Sequence, residues 1–404
     1  MLSESCSTKV AQLRARLTPM DLLAFLLTAL LVMAMVGLSG ADTWDETLAA
    51  AQKEGKLVVV LGGSASRNYR PVFKFFEDKF GIRTVVSTGS GRGQANRLLA
   101  ERGARRYEVD IIMTGGTTGN ARLIPNGVPD PIGPELFLPE VLDKSLWYNG
   151  RHYYSDPEEK YIFSFSGGAD LSPVAMRFNT DKLPLKEAKK INSIWEFLDK
   201  KRFTGQIVAL PPTIAGAGGT YFTVQVHPDV GVEYLRRFFD PELDVKFIQD
   251  YRQVADGVAR GKYTMAIFVG SGGRDIDRLG KQGLPVQNFT QMLTGPLKER
   301  PTLQGTGSSN SIMVVNRRPH PNATRLFLNW FLSKEGQTIV HTKSVRVPDQ
   351  SFRADVTEMG KVHKAEMRRP GVEYLTLAHD PEVQKKRVGA LKNAEKLYKQ
   401  IRNK

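Results

Sequence analysis

The feature that most limits the possible folds is one pattern that occurs three times in succession. Each copy is a short apolar run, then a loop of small residues, then a helical pattern. The predicted strands are 56–61, 83–86 and 109–113, and the loops after them are 62–66, 87–93 and 114–119. Consecutive strand–helix units form a parallel sheet, and the loops after its strands lie at one edge. The sequence therefore predicts an α/β fold with candidate binding loops along that edge.

The first of these units shows the pattern most fully. The continuous apolar run 57–61 is typical of a strand buried on both faces. Phe73, Phe76 and Phe80 then fall on one face of a helix, and Gly81 is placed to end it. The glycines between strand and helix are compatible with a plain tight turn or with a ligand approaching the backbone. This stretch alone leaves both interpretations open.

The same plan starts again in the second half of the chain. A strand at 206–210 leads into the small-residue loop 211–220, and a strand at 262–269 ends in the loop 270–273. We therefore predict two lobes, each an α/β sandwich, with a ligand cleft between them that closes on binding. The predicted boundaries are lobe 1 at 42–175, lobe 2 at 176–300, a return to lobe 1 at 301–345, and a C-terminal helical segment at 346–404.

The N-terminus has the pattern of an export signal. Lys9, Arg14 and Arg16 precede an uncharged apolar run at 22–38, and small residues follow at 39–41. This arrangement predicts a signal peptide at 1–41 and an exported protein. The apolar run is long enough that an uncleaved membrane anchor is the alternative. The single cysteine, Cys6, lies before the apolar run, so the exported chain would have neither a disulfide nor a thiol nucleophile.

The formal net charge of +15 is compatible with nucleic acid, an anionic membrane surface or an anionic small ligand. Many of the basic residues lie in the stretch after Pro381, where apolar residues keep a helical spacing. Those apolar residues are Val388, Leu391, Ala394, Tyr398 and Ile401. The spacing predicts an amphipathic helix docked on the body with a basic outer face. No RNA-binding or zinc-finger pattern accompanies it, so we expect no nucleic-acid partner.

Sequence patterns for catalysis and metal binding are absent. The six histidines are scattered without metal-ligand spacing, and we expect each to be a surface or loop residue. The segment 62–66 differs from a nucleophile elbow at its last position, and the loop 89–93 lacks the spacing of a dinucleotide-binding motif. The sequence therefore predicts no catalytic residue, no metal site and no cofactor.

Hydroxyl groups and glycines at predicted helix starts are the remaining candidates. Such positions suit reversible binding of a small polar, anionic ligand, because helix starts offer backbone N–H groups and a partial positive charge. Arg252 is assigned as the counter-charge and Tyr251 as a ring that covers the ligand, with Arg274 as a further candidate cation. The predicted ligand-binding residues are Ser64, Ser66, Ser90, Gly91 and Thr117 from lobe 1, and Thr213, Tyr251, Arg252 and Ser271 from lobe 2.

Several segments taken together resemble the solute-binding proteins of ABC importers. These are 44–59, 71–82, 195–199, 260–267 and 319–337. The resemblance is to extracellular solute-binding protein family 1, with the type 2 periplasmic-binding fold, in the group that includes ferric-iron binders. It implies ligand capture between two lobes and delivery to an ABC permease in the inner membrane, without catalysis. We expect the protein to be a monomer.

The resemblance does not identify the ligand. Ferric binders carry two adjacent tyrosines after the strand that corresponds to 262–269, whereas here that strand is followed by Gly270-Ser271-Gly272-Gly273. The pair Tyr153-Tyr154 lies elsewhere in the chain and cannot be transferred to this position. A small organic or phosphorus-containing anion therefore fits better than iron. The alternatives that stay open are a ferric-binding protein, an exported enzyme and a membrane-tethered sensor domain.

Overall fold

The structure is a computed structural model that describes residues 44–63, 65, 69–174, 176–214, 217–270, 273–303, 310–344, 349–360, 362 and 364–402. The predicted signal peptide 1–41 and the candidate residues Ser64, Ser66 and Ser271 lie outside these described residues. Within the described ranges, none of the helices combines the length and the apolar character needed to span a membrane.

Fourteen strands are present in the described chain. They are β1 (Lys56–Gly62), β2 (Arg83–Gly89), β3 (Ile111–Met113), β4 (Pro129–Asp130), β5 (Tyr153–Tyr154), β6 (Phe163–Ser164), β7 (Ala169–Asp170), β8 (Arg177–Asn179), β9 (Ile207–Ala209), β10 (Lys246–Phe247), β11 (Met265–Ile267), β12 (Val286–Asn288), β13 (Thr302–Leu303) and β14 (Ser311–Val315).

The α-helices lie between and after these strands. They are α1 (44–54), α2 (Arg70–Phe80), α3 (Gly91–Gly103), α4 (Gly116–Thr118), α5 (Pro139–Leu142), α6 (Leu185–Ala188), α7 (Lys200–Phe203), α8 (Gly218–Val226), α9 (Gly231–Phe238), α10 (Tyr251–Ala259), α11 (Gly273–Lys281), α12 (Phe289–Met292), α13 (Pro321–Leu332), α14 (Lys334–Lys343), α15 (Pro381–Lys385) and α16 (Arg387–Arg402). A π-helical turn, Gly119–Leu123, continues α4 directly.

The first lobe is built on a sheet with the order β2-β1-β3-β14-β6-β5, in which β4 also pairs with β14. β1 runs parallel to β2 and β3, whereas β14 runs antiparallel to β3. Alternate residues of β1 enter different hydrophobic clusters, Val59 and Leu61 on one face and Val60 on the other. The prediction that this strand is buried on both faces is therefore confirmed, and the parallel units bring the loops after β1, β2 and β3 to one edge.

Helix α2 shows why its sequence folds as predicted. Pro71 occupies the first turn, where the missing N–H costs nothing, and Gly81 ends the helix at a φ of 70°. Phe73 and Phe76 are buried against Phe327 of α13, with ring centroids 5.3 and 5.0 Å apart. This aromatic contact packs α2 against α13.

The second lobe has its own sheet and its own hydrophobic core. The strand order is β10-β9-β11-β8-β12, with β9, β10 and β11 parallel and β8 antiparallel to its neighbours. Residues 174–297 supply nearly all of this core, and the rings of Tyr221 and Phe268 stack at its centre 4.2 Å apart. The predicted α/β fold with two lobes is confirmed by this pair of sheets and cores.

The described chain passes between the two cores at three places. The first two passages are paired with each other, because β7 and β13 form an antiparallel two-stranded sheet in which Ala169 is opposite Leu303. The third passage follows residue 374, whose side chain belongs to the first core. The chain then reaches the second core, where Ala394 and Leu397 of α16 are buried.

The C-terminal segment differs from the prediction of a helical segment over 346–404. Among its described residues, the α-helices are α15 and α16, and the described part before them packs on the first lobe, where Phe352 stacks on Tyr153 at 4.2 Å. α16 does dock through its apolar stripe, since Tyr398 packs against Phe239 and Phe247. Val388, assigned to the stripe, is exposed, because its neighbour Arg387 takes the buried position in the first turn of α16.

Candidate functional site

A cavity of about 1360 Å³ lies between the two lobes. The first lobe lines it with the loops that follow β1, β2 and β3, and the second lobe with the first turns of α8, α10 and α11. The cavity-lining residues of these segments include Gly63, Ser90, Gly91, Thr114, Gly115, Thr117, Gly219, Thr220, Tyr251 and Arg274. The strand–loop–helix units thus bring small residues and helix starts from both lobes to one space.

Two predicted residues, Ser90 and Gly91, form the start of α3 in the cavity wall. The Ser90 Oγ accepts a hydrogen bond from the backbone N–H of Gly93 at 3.1 Å and so caps the helix. Gly91 is packed so closely that a Cβ at this position would lie 2.7 Å from Thr114 Oγ1. Because glycine alone fits here, the backbone of the first turn of α3 can lie directly against the wall of the cavity.

Thr114 was not among the predicted residues, although it lies in the third predicted loop. It lines the cavity and is 1% exposed, and its Oγ1 has no hydrogen-bond partner within the described residues. A Cβ on Gly62 would lie 2.9 Å from the same oxygen. The hydroxyl therefore sits between two glycine backbones, at a position that a sequence pattern of small residues cannot single out.

In the second lobe, the predicted residues Thr213 and Tyr251 also line the cavity. Tyr251 is the first residue of α10, and the preceding Asp250 caps this helix by accepting a hydrogen bond from the N–H of Gln253 at 2.9 Å. The cap explains the position of Tyr251, since it fixes α10 to begin at the edge of the cavity.

Arg252 is placed differently from its assigned role as counter-charge. It is exposed and is not one of the residues that line the cavity. Tyr251 already faces the cavity, and the next residue of a helix points about 100° away around the axis. Arg274, in the first turn of α11, lines the cavity instead.

An ion pair between the buried Arg177 and the half-buried Asp277 lies in the second-lobe wall. The Nε and Nη2 groups of Arg177 donate to the two carboxylate oxygens of Asp277 at 3.2 and 3.1 Å. Burial alone would lower the pKa of Arg177, but the Asp277 carboxylate outweighs it and raises that pKa. Gly273 leaves room for the guanidinium, because a Cβ there would lie 2.7 Å from its central carbon. The charge of Arg177 is thus matched within the protein.

Asp170 lies in the same part of the cavity, at the end of β7. Burial raises the pKa of Asp170 to about 6, against the lowering effects of hydrogen bonds from Ser172 and Thr290 and of the Arg177 charge. The nearby Glu366 carboxylate raises the pKa further. Asp170, Arg177, Asp277 and Glu366 therefore form a region of mixed charge beside the strands that connect the lobes, which we call the hinge region.

The third passage of the chain brings a second buried arginine, Arg387, to the cavity. It is 1% exposed, lines the cavity, and donates from Nε to Thr117 Oγ1 at 3.2 Å. Thr117 is one of the predicted ligand-binding residues. Arg387 was missed because it belongs to a helix predicted to dock on the outside, and no local pattern indicates that its first residue reaches the cleft.

Basic side chains outnumber acidic ones in the cavity lining. The basic residues are Arg92, Arg122, Arg177, Arg274, Arg278, Lys281 and Arg387, and the acidic residues are Asp170, Asp277, Asp349 and Glu366. The excess positive charge is combined with hydroxyls and helix starts, which favours an anionic group in the cavity.

Within the described residues, no group of three or more His, Cys, Asp or Glu side chains could hold a metal ion. The Tyr153-Tyr154 pair forms β5 and does not line the cavity. The expectation that each histidine is a surface or loop residue is wrong for His341, which is buried within α14. His227, in the loop after α8, and His379, in a 3-10 turn, are also buried. His341 is held in α14 by hydrogen bonds to backbone carbonyls, which accounts for its burial without a metal.

Comparison with solved structures shows the fold. No model of a known protein family and no curated protein matches the sequence. An ABC transporter structure from Clostridium perfringens is similar with a TM-score of 0.59 at 16% identity, over 86% of this chain and 100% of that chain. Iron-bound HitA from Pseudomonas aeruginosa has a TM-score of 0.55 at 16% identity, over 85% and 99% of the two chains.

The periplasmic binding protein AfuA from Actinobacillus pleuropneumoniae is also similar, with a TM-score of 0.56 at 16% identity, over 85% and 99% of the chains. These likenesses extend over nearly the whole of each solved chain. They establish that this chain has the two-lobed fold of periplasmic binding proteins, in agreement with the fold that the sequence resemblance implies.

Proposed function

We propose that this protein is the solute-binding receptor of an ABC importer and captures a small polar ligand with an anionic group between its lobes. The observation that carries the proposal is the convergence of helix starts and basic side chains from both lobes on one cavity. Backbone N–H groups and the positive ends of helix dipoles stabilise an anion without any chemical step. The two walls would close around the ligand and release it to the transporter.

The ligands of similarly folded proteins support a cargo-binding role. AfuA was solved with fructose-6-phosphate, MotA from Agrobacterium tumefaciens with glucopine, and a Trichodesmium protein with iron and citrate. The cavity here is larger than a free inorganic anion requires. We therefore favour a small organic molecule with an oxyanion group as the ligand of this chain.

The proposal includes the cellular setting. We propose that the signal peptide 1–41 is cleaved, and that the exported protein works in the periplasm as a monomer with a permease in the inner membrane. N-terminal sequencing of the exported protein tests the first part, because a free receptor begins at Asp42 and a membrane-tethered protein retains Met1. In the candidate ligand set we keep Ser90, Gly91, Thr117, Thr213 and Tyr251, together with Ser64, Ser66 and Ser271, and replace Arg252 by Arg274.

Ferric iron is the alternative ligand, since HitA and a Campylobacter jejuni ferric binding protein share the fold. The donors that line the cavity favour an organic anion over a bare ferric ion. Hydroxyls, glycine N–H groups and guanidinium groups predominate, and the tyrosine pair lies outside the cavity. Guanidinium groups cannot ligate a cation and repel it.

A binding screen tests the receptor function directly. Native mass spectrometry identifies ligand that copurifies with the protein, and a thermal-shift panel of fructose 6-phosphate, glucopine, ferric citrate and inorganic phosphate follows it. A ligand that binds only the folded state raises the melting temperature. We expect a shift with an organic oxyanion and no turnover. Chemical conversion of the bound compound would instead identify an enzyme.

A further inference from the structure

The start of α3 brings hydrogen-bond donors to the cavity wall. This helix is thirteen residues long, and the first N–H groups of a helix have no partner within it. The Ser90 Oγ accepts a hydrogen bond from the N–H of Gly93 and keeps its own proton for a further acceptor. No described hydrogen bond uses the N–H groups of Gly91 and Arg92. Two backbone N–H groups and one hydroxyl are therefore available at this end of α3.

A buried hydroxyl at the same place is an independent observation. Thr114 is 1% exposed and lines the cavity, and its Oγ1 has no hydrogen-bond partner within the described residues. This oxygen lies against the first turn of α3, since a Cβ on Gly91 would be 2.7 Å from it. Buried hydroxyls are ordinarily hydrogen-bonded, and leaving one without a partner destabilises the folded protein. A ligand oxygen that accepts from Thr114 would remove this cost.

A further hydroxyl lies beside Gly91. Thr118 also lines the cavity, and its Oγ1 would be 3.2 Å from a Cβ on Gly91. Gly91 is thus placed between two threonine hydroxyls, and its lack of a side chain keeps both of them next to the helix start. The donors come from two segments of the first lobe, the loop after β2 and the loop after β3.

The charge around these donors is positive. Arg92 lines the cavity, and the α3 dipole contributes a partial positive charge at this end of the helix. The loops after β1, β2 and β3 contain no acidic residue. The carboxylates of the cavity lining come from β7, α11 and the segment 349–366 instead. This corner of the cavity therefore favours an anionic group that accepts several hydrogen bonds.

Resting on the proposed function, we infer that the start of α3 and the hydroxyls of Ser90, Thr114 and Thr118 form the subsite for the phosphoryl group of a phosphorylated small organic ligand. The subsite offers two N–H groups and three hydroxyls. A phosphoryl group has three terminal oxygens that accept from such a set, whereas a carboxylate has two. The organic remainder of the ligand extends from the first-lobe wall towards the second lobe.

The test separates a binding role of the Thr114 hydroxyl from a structural one. Thr114→Val removes the hydroxyl with little change of shape, and Thr114→Ser retains it. The control is Ser344→Ala, because Ser344 is 4% exposed, its Oγ also has no partner within the described residues, and it does not line the cavity. Binding of fructose 6-phosphate, inorganic phosphate, citrate and neutral fructose is measured by calorimetry. The melting temperature of each variant is recorded without ligand.

We expect the wild-type protein to bind fructose 6-phosphate or inorganic phosphate more tightly than citrate or fructose. Thr114→Val should weaken phosphate binding by about tenfold or more, because a hydrogen bond to a charged group is lost. Its melting temperature should equal or exceed that of the wild-type protein, since the hydroxyl has no partner to lose in the free state. Thr114→Ser and Ser344→Ala should bind within about twofold of wild type.

Three results would overturn the subsite. One is phosphate binding by Thr114→Val within about twofold of wild type. Another is a parallel loss of melting temperature and of binding in Thr114→Val, which would assign the hydroxyl a structural role. The third is a wild-type protein that binds neither phosphate compound. Capture of citrate or fructose alone would leave the receptor function standing while the subsite falls, and chemical conversion of a probe would remove the receptor function itself.

Discussion

The cavity contains two regions with buried arginines, and the described contacts of the two arginines differ. In the hinge region, Arg177 is 8% exposed and donates twice to the Asp277 carboxylate, with further carboxylates nearby. At the third passage of the chain, the described contacts of Arg387 are to two uncharged oxygens and a ring. Arg387 and another arginine, Arg151, both lie near His379. The described contacts of Arg177 therefore include a carboxylate, whereas those of Arg387 are to a hydroxyl, an amide oxygen and a ring.

The largest expected effect on stability comes from removing the carboxylate that pairs with Arg177. Asp277→Asn leaves Arg177 buried without its carboxylate and should lower the free energy of unfolding by about 3 kcal/mol. Chemical denaturation measures the change, with Asp275→Asn on the same helix as the control and expected to lose much less. In the double variant Arg177→Met, Asp277→Leu, most of the stability should return. A loss below about 1 kcal/mol for Asp277→Asn would show that the pair is not needed to offset burial.

The positive charge at the third passage of the chain should make the folded state less stable at acid pH. Burial, together with the charges of Arg151 and Arg387, lowers the pKa of His379 to about 3, and its ring packs edge-on against Tyr153 and Phe352. Between about pH 6.5 and pH 3, the unfolded chain therefore binds a proton at His379 and the folded chain does not. Stability due to His379 is complete above pH 6.5 and falls as the pH drops.

His379→Phe should remove this dependence. Relative to the variant, the wild-type protein should lose about 3 kcal/mol of unfolding free energy between pH 7 and pH 4. Urea denaturation at a series of pH values provides the measurement. Arg387→Met should reduce the same slope, because one of the two named charges is gone. Parallel pH profiles of the wild-type protein and His379→Phe would contradict the account of this region.

In the hinge region, ionisation of Asp170 should make the folded state less stable as the pH rises. Its folded pKa of about 6 lies above the ordinary value, so the folded state holds a proton that the unfolded chain has released between about pH 4 and pH 6. Stability from this group is present below that range and lost as the pH rises through 6. Asp170→Asn, compared with the wild-type protein, should therefore gain about 1–3 kcal/mol at pH 7 and nothing at pH 4. Equal gains at both pH values would show that the effect is not ionisation.

The smallest expected effect concerns a neutral group in the first-lobe wall. Thr114→Val replaces a buried hydroxyl that has no partner within the described residues by a methyl of the same size. The free energy of unfolding should rise by about 1 kcal/mol, as measured by thermal and chemical denaturation. A second measurement on Thr114→Val is its affinity for the ligand. A fall in affinity would show that the neutral wall also contributes to anion binding.

The sequence predicted much of the cavity edge, because parallel strands deliver their following loops to one side of a sheet. Ser90, Gly91, Thr117, Thr213 and Tyr251 all line the cavity for this reason. Arg252 does not, because loop position does not determine which face of a helix a residue occupies. Arg274 lines the cavity instead, and its position depends on how α11 packs in three dimensions.

Other parts of the site depend on contacts between distant segments. Arg387 is separated from Thr117 by 270 residues, and no local periodicity indicates that the two meet. The buried ring of His379 likewise rests on aromatic side chains from β5 and from the segment after α14. The paired lobes were predictable from repeated local patterns, whereas the charges that distinguish this cavity were not.

The third passage of the chain has a consequence for the thermodynamics of capture. Two lobes joined only by β7 and β13 could adopt many relative orientations, and a ligand would have to select one of them. The additional connection through α15 and α16, anchored on both cores, removes part of that freedom before any ligand arrives. Less conformational entropy is then lost on closure, so the same contacts yield a higher affinity.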